Sequence, residues 1–259
     1  MIGIFDSGLG GLTAVKEMHR LMPGEDLVYF GDTGRVPYGT RSRQTIIQYA
    51  KQDVAFLQSK GVDAILVACG TVSTTALSVL QKESKIPVVG VVEPACRAAI
   101  EKTVSGSIAV IGTSATIRSG AFPDMLKDMC PSLKVYEQAC PLFVPLVENG
   151  VIDKNDPIAR LTVERYLERF KDGCVDTMIL GCTHYPLLAE VIADILPGVS
   201  LINTGNEAAK ALCEGRTAKG SGTTSYFVSD DPEMFISSAT RFLGEDVKGQ
   251  VSYVDIGAY

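Results

Sequence analysis

Two stretches of the chain, 113 positions apart, carry the same pattern, and this repeat constrains the fold more than any other feature. Val62-Asp63-Ala64-Ile65-Leu66-Val67-Ala68-Cys69 parallels Val175-Asp176-Thr177-Met178-Ile179-Leu180-Gly181-Cys182, each reading Val-Asp, five residues ending in a small one, then Cys. At the same shift Val88-Val89 falls on Leu201-Ile202, and Ala95-Cys96-Arg97-Ala98 falls on Ala208-Ala209-Lys210-Ala211. At a shift of 106, Ile2-Gly3-Ile4-Phe5-Asp6-Ser7 falls on Ile108-Ala109-Val110-Ile111-Gly112-Thr113. A unit repeated at a fixed offset is one supersecondary design used twice. The pattern predicts two related halves, with a net insertion of seven residues in the second.

Each half alternates short, β-rich apolar runs with segments of helical period, the pattern of parallel strands joined by helices. Strands are expected at 2–5, 27–30, 62–68, 87–92, 107–111, 134–137, 175–180 and 200–202. The run 64–68 is apolar without alternation, so both faces of the sheet should be covered. From 42 to 60, Ile46, Ile47, Ala50, Val54 and Leu57 recur at helical spacing, with Gly61 as the stop. Asp156-Pro157 opens another helix, expected to turn Ile158, Leu161, Tyr166 and Phe170 inward, and Asp231-Pro232 opens a last one. Lys219-Gly220-Ser221-Gly222 reads as a flexible connector. The expected fold class is α/β: two pseudo-symmetric doubly wound α/β domains with mainly parallel sheets and, if the two halves face each other, the active site in the cleft between them. Residues 1–93 plus 206–259 are expected to form the first domain and residues 94–205 the second.

The 259 residues, 46% apolar, supply core enough for two such domains. A net charge of −6 without any Lys/Arg cluster leaves no footprint for gripping nucleic acid. The start, Met1-Ile2-Gly3-Ile4-Phe5-Asp6, lacks the basic and apolar regions of a signal peptide, and no apolar run approaches the roughly 18 residues that span a bilayer. The expectation is a soluble, cytoplasmic protein whose partner is a small molecule rather than a membrane or a nucleic acid, with a homodimer allowed.

Seven cysteines, an odd number scattered without a C-x-x-C pair, fit neither a disulfide framework nor a zinc site. Five of them read as packing residues. Cys69 and Cys182 differ because the repeat puts both directly after an apolar strand and before a hydroxyl-bearing helix start, Thr71 and Ser73 in one half and Thr183 in the other. Ligands of open α/β sheets bind at that edge, where helix N-termini offer free N–H groups. Such a setting is expected to lower a thiol from about 8.5 toward roughly 3.5–7.5. Facing halves would put one thiol on each side of a small molecule. Inverting a carbon that bears a weakly acidic proton needs a base on one face and an acid on the other, and paired thiols supply both without a cofactor.

Asp6-Ser7-Gly8-Leu9-Gly10-Gly11 is a glycine-rich turn that matches no nucleotide motif, and Asp6 could orient an ammonium group or assist a thiol's proton exchange. Asp32-Thr33-Gly34-Arg35-Val36-Pro37-Tyr38-Gly39 is a turn with backbone donors suited to a carboxylate. His184 lies two residues beyond Cys182 and can polarise its thiol. His19 sits on an ordinary helix face, and Glu148 is locally a plain helix-end carboxylate.

Taken in order, Asp6-Ser7-Gly8-x-Gly10-Gly11, Asp32-Thr33 with Pro37-Tyr38-Gly39, Cys69 with Thr71, Cys140-Pro141-Leu142 leading to Glu148, and Gly181-Cys182-Thr183-His184-Tyr185-Pro186-Leu187 resemble bacterial glutamate racemases over residues 2 to about 215. The remaining residues carry no motif. The resemblance implies cofactor-independent interconversion of L- and D-glutamate and supply of D-glutamate for peptidoglycan. It implies that Cys69 takes the α-proton of the D-isomer and Cys182 that of the L-isomer, with Asp6, Glu148 and His184 assisting. Asp6, Ser7, Pro37, Tyr38, Gly39, Gly70, Thr71, Thr183 and His184 would hold the substrate.

One position departs from that family's pattern: Cys69-Gly70-Thr71-Val72 stands where Cys-Asn-Thr-Ala is usual. Loss of the Asn amide would remove a hydrogen bond of roughly 0.5–1.5 kcal/mol, or about 3 to a charged group. Glycine could also let the backbone approach the ligand more closely. The alternatives are a racemase of another acidic amino acid, aspartate above all, a racemase-fold binding protein with little turnover, and a thiol redox protein using Cys69 and Cys182. His184 argues against aspartate, since aspartate racemases resemble Gly-Cys-Thr-Glu at that site.

Overall fold

A computed structural model describes residues 1–247 and 250–259. Strands β1 (Ile2–Asp6), β2 (Leu27–Gly31), β3 (Ala64–Val67) and β4 (Val88–Gly90) lie side by side in the order β2-β1-β3-β4. Strands β5 (Ser107–Gly112), β6 (Lys134–Ala139), β7 (Thr177–Leu180) and β8 (Ser200–Asn203) form a second sheet in the order β6-β5-β7-β8. The two orders are the same topology, and β3 and β7 begin and end at positions that correspond at the shift of 113 read from the sequence. All pairings are parallel. Helices fill the connections, as parallel strands require. The central strands β1, β3, β5 and β7 are buried along their whole length, which is why their sequences do not alternate.

The chain beyond the second sheet returns to the first. β9 (Thr224–Val228) pairs with β2, and β10 (Val251–Tyr253) pairs with β9, so the first sheet has six strands. Neither strand was expected from the sequence. The helix Pro232–Leu243 between them begins where Asp231-Pro232 predicts, with the Asp231 carboxylate accepting from the N–H groups of Glu233 and Met234.

Local signals elsewhere hold with two corrections. Ser42 caps the helix Arg43–Ser59, and Gly61, at φ +79°, ends the turn that follows it. Asp156 caps the helix Pro157–Leu167, but its inward stripe is Ala159, Val163 and Leu167, spaced four apart. Ile158 and Leu161 point outward and are exposed, while Phe170 is buried beyond the helix end. The segment at 219–222 is not free either. Glu25 accepts from the Lys219 N–H and Asp26 from the Ser221 and Thr223 N–H groups, and these bonds hold the Asp26 carboxyl down at about 2.

Candidate active site

In each half the third strand runs out at a cysteine. Cys69 follows β3 and is the N-cap of the helix Gly70–Thr75, and Cys182 follows β7. Both line one cavity of about 370 Å³, within the range of small-ligand sites. Ser7, Pro37, Tyr38, Gly39, Gly70, Thr71, Glu148, Thr183 and His184 line it too. Of the residues expected to react with or hold the substrate, Asp6 is the one that stands back from the wall. Its carboxylate, 1% exposed, accepts from the Gly8 N–H at 2.9 Å and from the Thr183 hydroxyl at 3.4 Å. Burial pushes it above the usual carboxylate range, against the pull of His184 and the backbone N–H groups of Gly8 and Gly11.

The two thiols have different surroundings. Cys69 donates to the Ser7 hydroxyl at 3.5 Å. Burial first, and then the nearby Asp6 carboxylate, push it up to about 12, the reverse of the lowering expected at a helix start. The helix there is six residues long, and its backbone contribution is the lesser effect. Cys182 instead has His184 Nδ1 at 3.9 Å, and His184 Nε2 lies 3.1 Å from Glu148 Oε1. Burial works against a charged imidazole, but the hydrogen bonds to Cys182 and Glu148 and the charges of Cys182 and Asp6 prevail and carry His184 up to about 10. At neutral pH the site therefore holds a protonated thiol on one side and an imidazolium beside the other sulfur. No helix begins at Thr183; a short 3-10 turn starts at Tyr185.

Several wall residues were not singled out in the sequence. Thr113 and Ser114 follow β5 as Ser7 and Gly8 follow β1, and the shift of 106 that aligns Ser7 with Thr113 is the signal that points to them. Thr113 Oγ1 lies 3.2 Å from Thr71 Oγ1, a hydroxyl contact between the halves. Pro141, Val144 and Pro145 supply apolar wall.

The least legible contributors come from the C-terminal stretch without motifs. Phe242 packs edge-on against the His184 ring at 5.5 Å. Arg241 Nη1 donates to the carbonyls of Val147 at 3.3 Å and Glu148 at 2.7 Å, capping the helix Phe143–Glu148 that presents Glu148 to His184. With alanine at 241 the end of that helix loses its anchor and Glu148 drifts from the imidazole. The His184 pKa, followed by NMR titration, should then fall by about one unit, the lower end of what a close opposite charge contributes. An unmoved His184 would show that the helix holds Glu148 by itself.

Among the described residues no group of His, Cys, Asp and Glu side chains is arranged to hold a metal ion. All seven cysteines are free thiols. No helix of the described residues is long and apolar enough to cross a membrane.

The family model for Asp/Glu/Hydantoin racemase matches residues 5–212. The glutamate racemase of Aquifex aeolicus is 46% identical over 251 residues, covering 97% of each chain. A glutamate racemase isoform of Bacillus anthracis superposes with a TM-score of 0.92 at 36% identity, covering 98% of this chain and 97% of that one. A Francisella tularensis glutamate racemase solved in complex with D-glutamate superposes with a TM-score of 0.91 at 37% identity, covering 100% and 98%.

Proposed function

The chain belongs to the Asp/Glu/Hydantoin racemase family, and from that premise we propose that it interconverts L- and D-glutamate without a cofactor, using Cys69 and Cys182 as paired acid and base. The observation that carries the reading is the asymmetry of the two sulfurs on one cavity: Cys69 kept as a thiol by burial and Asp6, Cys182 beside a positively charged His184. In the direction from L-glutamate, the Cys182 thiolate takes the α-proton as the C–H bond breaks. Cys69 gives its own proton to the opposite face, leaving D-glutamate, a thiol at 182 and a thiolate at 69. The return direction exchanges the roles.

The supporting groups follow from their places. Asp6, raised by burial, can carry a proton behind Cys69, and the Glu148–His184 pair does the same for Cys182. The substrate's charged ends meet the Ser7, Thr71 and Thr183 hydroxyls and the backbone of the turn at Pro37, Tyr38 and Gly39. Residues 1–93 with 206–259 act as one unit and 94–205 as the other, with the substrate gripped between them. The D-glutamate formed supplies peptidoglycan synthesis.

The test is solvent exchange. Protein incubated in deuterated water with L- or D-glutamate, and nothing else added, should place deuterium at the α-carbon and yield both enantiomers. Absence of exchange from either enantiomer overturns the reading.

A further inference from the structure

Behind the turn that closes one side of the cavity lies a buried pair of carboxylates that the reaction does not use. Asp32 and Asp53 are both 0% exposed. Asp32 accepts from Arg35 Nε at 2.5 Å, from the Ser229 hydroxyl at 2.6 Å and from the Tyr38 hydroxyl in a short contact. Asp53 lies within the helix Arg43–Ser59; its Oδ1 accepts from Arg35 Nη2 at 2.9 Å, and its Oδ2 stands 3.2 Å from the Tyr38 oxygen. Arg35 also donates to Gln52 and stacks over the Tyr49 ring, its carbon 4.1 Å from the ring centre.

Counting protons decides the state of this group. A tyrosine has one hydroxyl proton for the two carboxylates in reach, and Asp32, which already accepts from Arg35 Nε and the Ser229 hydroxyl as an anion, is the one that draws it. What Tyr38 offers Asp53 is then a lone pair. An ionised Asp53 would bury an anionic oxygen against it with no donor, beside a second carboxylate and with Arg35 as the cation for both. With a proton on Oδ2 every bond closes in one direction: Asp53 donates to Tyr38, Tyr38 donates to Asp32, and Asp32 and Arg35 neutralise each other. The charged and titratable groups that bear on Asp53 are Asp32, Arg35, Tyr38 and, from β1, Asp6; burial and the two carboxylates push its carboxyl well above the usual range, with Arg35 and the hydrogen bond with Tyr38 opposing.

We propose that Asp53 is a positioning residue that works as an uncharged acid: it donates to Tyr38 and so fixes the Tyr38–Gly39 turn against which a substrate carboxylate docks. The docking half of this proposal rests on the racemase reading, whereas the proton does not.

Two variants separate its parts. In Asp53→Asn the amide nitrogen takes the place of the protonated oxygen, still donating to Tyr38, while the amide oxygen still accepts from Arg35. The glutamate KM is expected to stay within about twofold of the parent. In Asp53→Ala both bonds vanish, and KM should rise about three- to tenfold, the factor that loss of one hydrogen bond produces, with kcat within about threefold. The infrared spectrum of the parent protein at neutral pH should contain a protonated-carboxyl band that Asp53→Asn lacks, a signature that needs no turnover. Absence of that band, or an Asn variant as impaired in KM as the Ala variant, overturns the uncharged acid. An unchanged KM in Asp53→Ala overturns the positioning role. If Asp53→Ala does not fold, Asp53→Asn and the spectrum still decide the protonation.

Discussion

Serine in place of Cys69, or of Cys182, is expected to lower glutamate racemisation by about 10²–10⁴-fold, the range that a positioned acid or base contributes. Serine keeps the shape and loses the chemistry, because its hydroxyl is a far weaker acid than a thiol. The two variants should fail differently. With serine at 69, the Cys182–His184 side is intact, and a proton removed from L-glutamate can only return to the face it left. L-Glutamate should therefore pick up solvent deuterium with retention, while D-glutamate stays unlabelled. With serine at 182 the pattern reverses. Enantiomer-resolved mass spectrometry of glutamate from deuterated buffer reads both results. If either variant racemises at the parent rate, the two-thiol reading fails.

That experiment also tests a feature the sequence leaves out. The repeat makes Cys69 and Cys182 equivalent, yet their neighbours are not: Asp6 bears on one sulfur and an imidazolium on the other. Aligned positions explain why. At the shift of 113, Thr71 is the counterpart of His184, and at 106 the counterpart of Asp6 is Gly112. The duplicated scaffold is legible because strands and their order follow from local periodicity. The asymmetric chemistry depends on which unlike residues two halves bring together.

The same distinction sorts the rest of the molecule. The β2-β1-β3-β4 order and its copy follow from strands, helices and the repeat. β9, β10 and the placing of Phe242 and Arg241 on the His184–Glu148 pair do not. Thr224-Ser225-Tyr226-Phe227-Val228 becomes a strand by pairing with β2, nearly 200 positions earlier, and no local signal names that partner. The helix Pro157–Leu167 shows a milder form. Two apolar stripes compete along it, and tertiary packing buries the one with Ala159 because the smaller side chain lets the helix sit closer. For the cavity, residue types and motif order point to the wall, but depth escapes them, as Asp6 shows.

Gly70 is where sequence and structure give opposite expectations. Read as a missing asparagine, it predicts that restoring the amide improves the enzyme. The structure assigns it a different duty, since a Cβ at position 70 would lie 2.4 Å from the carbonyl oxygen of Gly181. That neighbour is backbone and cannot rotate aside. Nor is it free to retreat, because the Gly181 N–H donates to the Ile111 carbonyl of β5 at 2.8 Å. Any side chain at 70 must therefore displace the start of the helix that Cys69 caps, moving the Cys69 sulfur relative to that of Cys182. Overpacking of this kind costs about 1–3 kcal/mol, equivalent to a roughly five- to hundredfold loss in kcat/KM if it falls on the reacting geometry. Gly70→Ala and Gly70→Asn should both lose activity on both enantiomers by factors in that range. Thermal stability should fall less than activity, because alanine is worth up to about 1 kcal/mol more than glycine in a helix. An Asn variant that turns over glutamate faster than the parent would overturn this account, and would mean that the halves part readily enough at Gly181 to admit a side chain.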